Sequence, residues 1–264
     1  MDLGLTGKVV LVCGGSRGIG FATAEIFARE GASVLICSRD GASVKSAVEK
    51  ISAFSKSVSG VAADIGTLEG IEKTLAELKS RFGQADVLIT NTGGPPPGPT
   101  MSHDWAAWEA ATNMLLRSAV ELTRAIVPDM RERKWGRVIG ITSMAVKHPV
   151  NSLVLSNSLR AAVTGYFRTL ADEVGVDGVT VNTVLPGYTE TDRLVGLAEA
   201  QVKRTGVSRD SIYDLWRTPS VTPVGRLGRP EECGAVIAFL ASQQAAFVTG
   251  QAISVDGGYG HALL

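Results

Sequence analysis

Residues 9–20 are Val-Val-Leu-Val-Cys-Gly-Gly-Ser-Arg-Gly-Ile-Gly, and Phe-Ala-Thr-Ala at 21–24 opens a segment of helical periodicity. An apolar run that leads through a glycine-rich turn into a helix is typical of the first strand–turn–helix unit of a parallel α/β sheet. Glycines permit the sharp turn and bring backbone N–H groups close to an anion, to which the helix N-terminus adds partial positive charge. The stretch predicts a phosphate-binding turn; a tight connection without a ligand is the alternative.

The rest of the chain repeats this alternation of short β-branched runs and longer helical segments. Strands are predicted at 8–13, 33–38, 58–62, 87–91, 137–142, 179–185 and 252–255. Runs such as Val-Leu-Ile at 87–89 are apolar on both faces, as a strand covered by helices on each side must be. We therefore predict an α/β protein with one doubly wound Rossmann domain over 1–264. Its seven-stranded, mostly parallel sheet carries helices on both faces, with ligands at the carboxyl ends of the strands.

The composition excludes several classes of partner. Lysine plus arginine and aspartate plus glutamate balance at 26 each, which argues against nucleic acid and membrane surfaces as partners. The three cysteines have no metal-site spacing, and no metal is predicted. Because we find neither a signal-peptide pattern nor a run of about 18 apolar residues, we expect a cytoplasmic protein. A polar insertion at 189–222 is the predicted substrate lid.

The spacing Gly14-x3-Gly18-x-Gly20 resembles the turn of the short-chain dehydrogenase/reductase family, in which Thr usually stands where this chain has Cys13. The resemblance continues in the family's order through Asp64, Asn91-Thr92-Gly93-Gly94, Pro186-Gly187-x3-Thr191, Gly225-Arg226-x-Gly228-x-Pro230-Glu231-Glu232 and Asp256-Gly257-Gly258. It covers nearly the whole chain, and the general organisation is similar to that of the 3-oxoacyl-carrier-protein reductases.

The resemblance implies a nicotinamide dinucleotide site. Asp64 and Ile65 would border the adenine, Asn91 and Gly93 would line the ribose side, and Thr191 would hold the nicotinamide carboxamide. The predicted cofactor-binding residues are Gly14, Ser16, Arg17, Gly18, Ile19, Gly20, Ser38, Arg39, Asp64, Ile65, Asn91, Gly93, Arg160, Pro186, Gly187, Thr189 and Thr191.

The end of the second strand bears on the choice between the two dinucleotides. A site selective for NAD places a carboxylate at this strand tip to bind the ribose 2′-OH, but this chain has Ser38 there. Arg39 follows, and together with Arg17 it could make charge-assisted hydrogen bonds to an adenosine 2′-phosphate. The sequence therefore favours NADP(H) over NAD(H). In the alternative, both arginines are solvated and Asp40 binds the ribose.

The family's catalytic pattern is a Ser, a Tyr-x3-Lys and an Asn. Ser143 fits the Ser position and could donate a hydrogen bond to a developing oxyanion. The Tyr position falls on Ser156, the Lys position on Arg160 and the Asn position on Leu115. A serine hydroxyl is far less acidic than a phenol of pKa about 10 and reaches less far, whereas Arg160 keeps a charge that could bind the nicotinamide ribose. Binding survives these changes more readily than proton transfer, which is typically worth about 10² to 10⁴ in rate.

Three loop residues could supply the missing acid. Lys147 and His148 follow the fifth strand and Tyr188 follows the sixth; a histidine titrates near neutral pH and suits this task. Alternatively His148 is an exposed loop residue and Tyr188 an aromatic wall. The stiff run Pro-Pro-Pro-Gly-Pro at 95–99 is predicted to form a wall of the substrate cleft, or else a rigid spacer.

The leading hypothesis is an NADP-dependent oxidoreductase that acts on a small carbonyl or alcohol substrate through an atypical catalytic site. The alternative is a dinucleotide-binding pseudoenzyme or regulatory protein without turnover; a non-redox enzyme, such as an isomerase, is a third hypothesis. The resemblance also implies a homodimer or homotetramer that pairs through long helices at 105–133 and 151–174. A monomer is the alternative, and the sequence names no substrate.

Overall fold

The structure is a computed structural model that describes residues 2–261. The strands are β1 (Val9–Cys13), β2 (Ser33–Ser38), β3 (Val58–Ala62), β4 (Val87–Thr90), β5 (Gly136–Ile141), β6 (Val179–Pro186) and β7 (Ala252–Val255). They form one seven-stranded sheet in the order β3-β2-β1-β4-β5-β6-β7, and every neighbouring pair runs parallel. The predicted doubly wound α/β fold is confirmed, and each strand boundary lies within one residue of its predicted position.

Helices fill the connections between the strands. They are α1 (Gly18–Arg29), α2 (Gly41–Ile51), α3 (Leu68–Phe82), α4 (Trp105–Thr112), α5 (Ser118–Glu132), α6 (Val154–Val174), α7 (Asp192–Thr205), α8 (Arg209–Arg217) and α9 (Pro230–Ala241). A π-helical turn, Asn113–Arg117, joins α4 to α5. A π-turn widens a helix locally, so the long helix predicted at 105–133 is one element with an irregular middle.

Both faces of the sheet are buried. Along β1, Leu11 and Cys13 pack with α3, α5 and α6, whereas Val10 and Val12 pack with α1, α2 and α9. Successive side chains of a strand point to opposite faces, so a strand covered on both sides must be apolar throughout. This explains why the buried strands are continuous apolar runs.

The order of the strands fixes where a ligand can bind. β1 pairs with β2 on one side and with β4 on the other, so the chain reverses direction across the sheet after β3. The loops that leave β1 and β4 therefore diverge and open a crevice at the carboxyl edge of the sheet.

The predicted lid segment is helical. α7 and α8 pack on each other around Trp216, with Tyr188 and Leu227 beside it. Within residues 2–261, no helix has the length and apolar character needed to span a membrane. The expected cytoplasmic location stays a prediction.

Candidate active site

A cleft of about 850 Å³ lies at the carboxyl edge of the sheet. The predicted cofactor residues line it with the exception of Gly20, which is buried behind the turn. Four of the predicted catalytic residues line it as well: Ser143, Ser156, Arg160 and Tyr188. Residues that are far apart in sequence therefore meet in one cavity, at the edge where the fold places a ligand.

The glycine-rich turn forms one end of the cleft. Gly14 and Gly18 adopt φ values of +60° and +56°, a conformation that other residues rarely adopt. A Cβ on Gly20 would lie 2.2 Å from the Gly14 carbonyl oxygen, and one on Gly14 would lie 2.6 Å from Nδ2 of Asn91. The turn is thus packed backbone to backbone, and α1 begins at Gly18 with its N-terminus at the cleft. This cradle of backbone N–H groups fits the pyrophosphate of a dinucleotide.

The side chains after β2 differ in what they contact. Ser16 Oγ donates to Ser38 Oγ at 3.0 Å. Asp40 caps α2 by accepting from the Ser43 N–H at 2.7 Å, and hydrogen bonds from the hydroxyl and the N–H of Ser43 lower the pKa of its carboxyl. Arg39 is exposed and directs its guanidinium toward Gly93, and within residues 2–261 it forms no ion pair. The carboxylate is therefore engaged locally, while the cation faces the cleft.

Arg17 is the second cation predicted at this end. It forms an exposed ion pair with Asp192 at 3.1 Å, which connects the glycine-rich turn to the start of α7. Such exposed pairs are worth about 0–1 kcal/mol, so this contact is readily exchanged for another anion.

The opposite end of the cleft is a cluster of hydroxyls around one guanidinium. Arg160 Nε donates to Ser156 Oγ at 3.2 Å, and its NH1 donates to the carbonyls of Ile141 and Thr142 at 3.1 and 2.9 Å. Ser143 Oγ accepts from the Ala145 N–H at 3.1 Å. Both serine hydroxyl oxygens thus already accept an N–H, which leaves each O–H available to donate into the cleft.

A second guanidinium lies next to this cluster. Arg193, on the first turn of α7, donates to the carbonyls of Gly94 and Pro95 at 3.5 and 2.9 Å. Burial, and to a lesser degree the charge of Arg193, lowers the pKa of Arg160 to about 10. Burial also lowers the pKa of Arg193. Both groups are cations at neutral pH and repel each other.

The proposed substitute acids lie in different surroundings. Tyr188 stacks on Trp216 with ring centroids 4.8 Å apart, and burial together with the neighbouring Tyr259 raises the pKa of its phenol. His148 meets Tyr259 edge-on at 6.3 Å. Neither His148 nor the exposed Lys147 lines the cleft. Of the three candidates, only Tyr188 reaches the cavity, and there it forms a wall.

Leu115, which the sequence analysis predicts at the Asn position of the family pattern, is buried in the π-helical turn. It packs with Ala111, Leu155 and Leu159 in an apolar cluster. The adjacent Met114 lines the cleft instead. No polar side chain therefore enters the cleft from position 115.

Sequence reasoning did not single out Arg193. It follows Thr191 by two residues in a polar segment, and spacing alone does not tell which side of a short helix faces a cavity. The only available signal was an arginine close to Thr191, a predicted nicotinamide contact.

Comparison with known proteins places the whole chain in one group. A family model described as enoyl-(acyl carrier protein) reductase matches residues 14–260. The 3-oxoacyl-[acyl-carrier-protein] reductase of Vibrio cholerae is 34% identical over 256 residues, which cover 97% of this chain and 98% of that protein. The chain belongs to the short-chain dehydrogenase/reductase family. The predicted family and the branch that it resembles are confirmed.

Solved structures of this family superpose closely on the chain. L-sorbose reductase from Gluconobacter frateurii, complexed with NADPH and L-sorbose, matches with a TM-score of 0.93 and 32% identity over 100% of both chains. An actinorhodin polyketide ketoreductase with NADPH matches with a TM-score of 0.92 and 29% identity, covering 97% of this chain and 98% of that one. These relatives are reductases, and the chain is an oxidoreductase of the same family.

Proposed function

We propose that this short-chain dehydrogenase/reductase is an NADPH-dependent reductase of a small carbonyl compound, working reversibly on the corresponding alcohol, without a catalytic phenol. One observation carries the proposal: a single cleft holds the glycine-rich turn at one end and Ser143, Ser156 and Arg160 at the other. This arrangement lets a dinucleotide reach from its phosphates to a cluster of hydrogen-bond donors.

The cofactor end favours a 2′-phosphate over a 2′-hydroxyl. Arg39 points over Gly93 and is open to an anion, whereas Asp40 is held as the N-cap of α2 and does not compete for a ribose hydroxyl. Arg17 could join Arg39 by leaving its exposed pair with Asp192. The two structural neighbours described above were solved with NADPH, which supports the same choice.

The remaining cofactor contacts follow the family pattern. Asp64 and Ile65 would border the adenine, Asn91 and Gly93 the ribose side, and Thr191 the carboxamide. Asn91 donates weakly to the Gly14 carbonyl at 3.4 Å, so one side chain joins the β4 loop to the glycine-rich turn. When bound, the nicotinamide of NADPH would supply the hydride that reduces the substrate carbon.

The residues at the reacting end stabilise negative charge on the substrate oxygen. Ser143 and Ser156 donate their O–H groups to this oxygen, as an oxyanion hole does. Arg160 polarises Ser156 through the 3.2 Å bond from Nε and places a positive charge behind it. Its pKa of about 10 keeps it charged at neutral pH, so it stabilises the oxyanion without giving up a proton.

Protonation of the substrate oxygen then depends on solvent. Among the cleft-lining residues the one phenol is Tyr188, whose raised pKa makes it a weaker acid than an ordinary tyrosine. Neither His148 nor Lys147 reaches the cavity. Water in the open cleft supplies the proton, and the protein accelerates the reaction through positioning and electrostatics.

Two further features belong to the proposal. Within the 189–222 segment, α7 contributes Arg193, Leu194 and Leu197 to the cleft wall, as a substrate lid would. We also propose that the chain forms a homodimer or homotetramer through α5 and α6, which sedimentation velocity measures directly.

A two-stage measurement in one cuvette tests the proposed function. Fluorescence titration with NADPH and NADH comes first, followed by NADPH oxidation with a panel of aldehydes, ketones and oxo acids. We expect tighter binding of NADPH than of NADH, and turnover with at least one carbonyl. Binding without turnover across the panel would favour the pseudoenzyme, and failure to bind either dinucleotide would overturn the cofactor assignment.

A further inference from the structure

Two half-buried arginines face the same part of the cleft without an acidic partner. Arg160 and Arg193 both line the cavity, and within residues 2–261 neither forms an ion pair with a carboxylate. The three aspartates that line the cleft each have another partner. Asp40 caps α2, Asp64 accepts from the Gly66 N–H, and Asp192 pairs with Arg17. Burying charge without a partner is costly, so two adjacent cations indicate a site for an anion.

The two guanidiniums differ in how many donors they have left. The N–H groups of Arg160 donate to Ser156 Oγ and to the carbonyls of Ile141, Thr142 and Gly93. Arg193 uses only one N–H on each terminal nitrogen, toward two neighbouring carbonyls. Its Nε and its other terminal N–H groups have no partner among residues 2–261. Arg193 therefore has the donors for a bidentate contact with a carboxylate.

The position of Arg193 is fixed by a close backbone contact. A Cβ on Gly94 would lie 2.3 Å from the Arg193 guanidinium carbon, so the glycine leaves the space in which the side chain lies. The guanidinium rests on the 94–95 backbone next to Arg160, whereas the preceding residue, Asp192, faces the glycine-rich turn. Arg193 thus serves the reacting end of the cleft, not the phosphate cradle.

The rest of this end is apolar. Side chains from the loop after β5 and from α7 line the wall there; they are Met144, Val150, Leu153, Leu194 and Leu197. The loop is held to α7 by the Arg204 bond to Ser152 Oγ. An apolar pocket beside a cation with free donors, Arg193, fits a ligand that has an apolar body and one negative group.

We propose that Arg193 binds a carboxylate of the substrate, so that the substrate is an apolar oxo acid and not a neutral ketone or aldehyde. This inference rests on the proposed function, because it names the substrate class of the same cleft. Arg193 is a specificity-determining residue in this account, while Ser143, Ser156 and Arg160 contact or polarise the reacting oxygen.

Binding of a matched pair of probes tests this inference without turnover. Hexanoate and hexanamide have the same apolar chain and differ in charge, and each is titrated calorimetrically into the protein with and without saturating NADP⁺. We expect wild type to bind hexanoate at least about tenfold more tightly than hexanamide. Arg193→Gln should remove the preference and Arg193→Lys should restore part of it. Lys203→Gln, the control on the same helix at an exposed position outside the cleft lining, should keep it.

Turnover supplies the second measurement. Wild type should reduce 2-oxohexanoate with a kcat/KM at least about tenfold above that for its methyl ester, with the difference mainly in KM. Equal binding of the two probes by wild type, or an unchanged preference in folded Arg193→Gln, would overturn the inference.

The cofactor is the other source of anions, and one control separates the two. Fluorescence titration should give Arg193→Gln the same NADPH affinity as wild type. A loss of NADPH affinity with an unchanged preference for hexanoate would assign Arg193 to the cofactor phosphates and reject the proposal. If wild type binds no NADPH, the proposed function itself fails, while the hexanoate comparison without cofactor still decides the role of Arg193.

Discussion

The two ends of the cleft offer different groups to a negatively charged ligand. At the end near β1, glycines bring backbone N–H groups to the surface, and the side chains that point in are exposed arginines such as Arg39. At the end near β5, side chains form the surface: two serine hydroxyls and two half-buried guanidiniums, Arg160 and Arg193, held by carbonyl oxygens. The first end depends on backbone shape and the second on side-chain charge.

This difference determines which substitutions each end of the cleft tolerates. A backbone cradle fails whenever a Cβ enters it, whatever the chemistry of that side chain. A side-chain cluster fails when a charge is lost, yet it accepts a different donor that keeps the charge. The glycine spacing is that of the family, and in our proposal Ser156 and Arg160 take the Tyr and Lys positions of the family pattern.

The largest effect is expected from Arg160→Gln at the side-chain end. Loss of a positive charge that stabilises the oxyanion should lower kcat by about 10²- to 10³-fold, with NADPH binding changed far less. Arg81→Gln, an exposed arginine on α3 away from the cleft and from the proposed α5–α6 interface, is the control. Stopped-flow or steady-state NADPH oxidation measures both variants, and an unchanged kcat for Arg160→Gln would remove this residue from the reaction.

The pH dependence of wild type sharpens the same prediction. Burial lowers the pKa of Arg160 to about 10, and the cation is the active form. The kcat/KM value should therefore be level through neutral pH and fall as the pH rises toward 10. If the reaction instead needs a protonated histidine as its acid, kcat/KM should already fall as the pH rises through about 6–7. That result would restore a histidine as the proton donor.

Gly20→Ala tests the backbone end. The new Cβ would lie 2.2 Å from the Gly14 carbonyl oxygen, so the turn must move and NADPH affinity should fall by about 100-fold, or about 3 kcal/mol. Gly175→Ala, beyond the end of α6, is the matched control, because an added Cβ there meets no neighbouring atom within 4 Å. Fluorescence titration of the two folded variants makes the comparison, and equal affinities would contradict the account of the cradle.

Arg39→Gln is expected to have a smaller, selective effect. Removing one charge-assisted contact to the 2′-phosphate should weaken NADPH binding by about tenfold and leave NADH binding unchanged. Arg81→Gln removes an exposed helix arginine away from the cleft and serves as the control. An equal loss of affinity for NADPH and NADH would show that Arg39 does not contact the 2′-phosphate.

Asp40→Ala should have the smallest effect of these variants. It should lower the stability of the protein slightly and leave the affinities for NADPH and NADH unchanged. It removes the N-cap of α2, so the melting temperature falls slightly. Because hydrogen bonds from Ser43 lower the pKa of Asp40, its stabilising contribution is present above the ordinary carboxyl pKa of 3.8 and is lost as the pH falls through the lowered value. Thermal melts from pH 7 downward should therefore converge with wild type, and a weaker NADH affinity would support the alternative in which Asp40 binds the ribose.

The sequence predicted the backbone end of the molecule well. Strand–turn–helix order and glycine spacing are local properties, so β1, the turn at Gly14 and Gly18, and the parallel sheet follow from short stretches of sequence. Ser38 and Arg39 could be placed because a strand tip has one position relative to the cleft.

The side-chain end was predicted in part. Ser143, Ser156 and Arg160 could be located from the family pattern, but the direction in which a loop or short helix projects depends on tertiary packing. His148 turns toward Tyr259 for this reason, and Arg193 faces the cleft although its only signal in the sequence is its closeness to Thr191. The π-helical turn that buries Leu115 likewise has no signature in the local sequence.

The central claim is that the Ser156–Arg160 pair supports hydride transfer without a phenol. The most direct measurement compares NADPH oxidation by wild type and by Ser156→Tyr/Arg160→Lys, across the same panel of carbonyl substrates. We predict turnover by wild type with at least one substrate. No turnover by wild type together with a gain of activity in the double variant would contradict the claim and identify the native cleft as a binding site only.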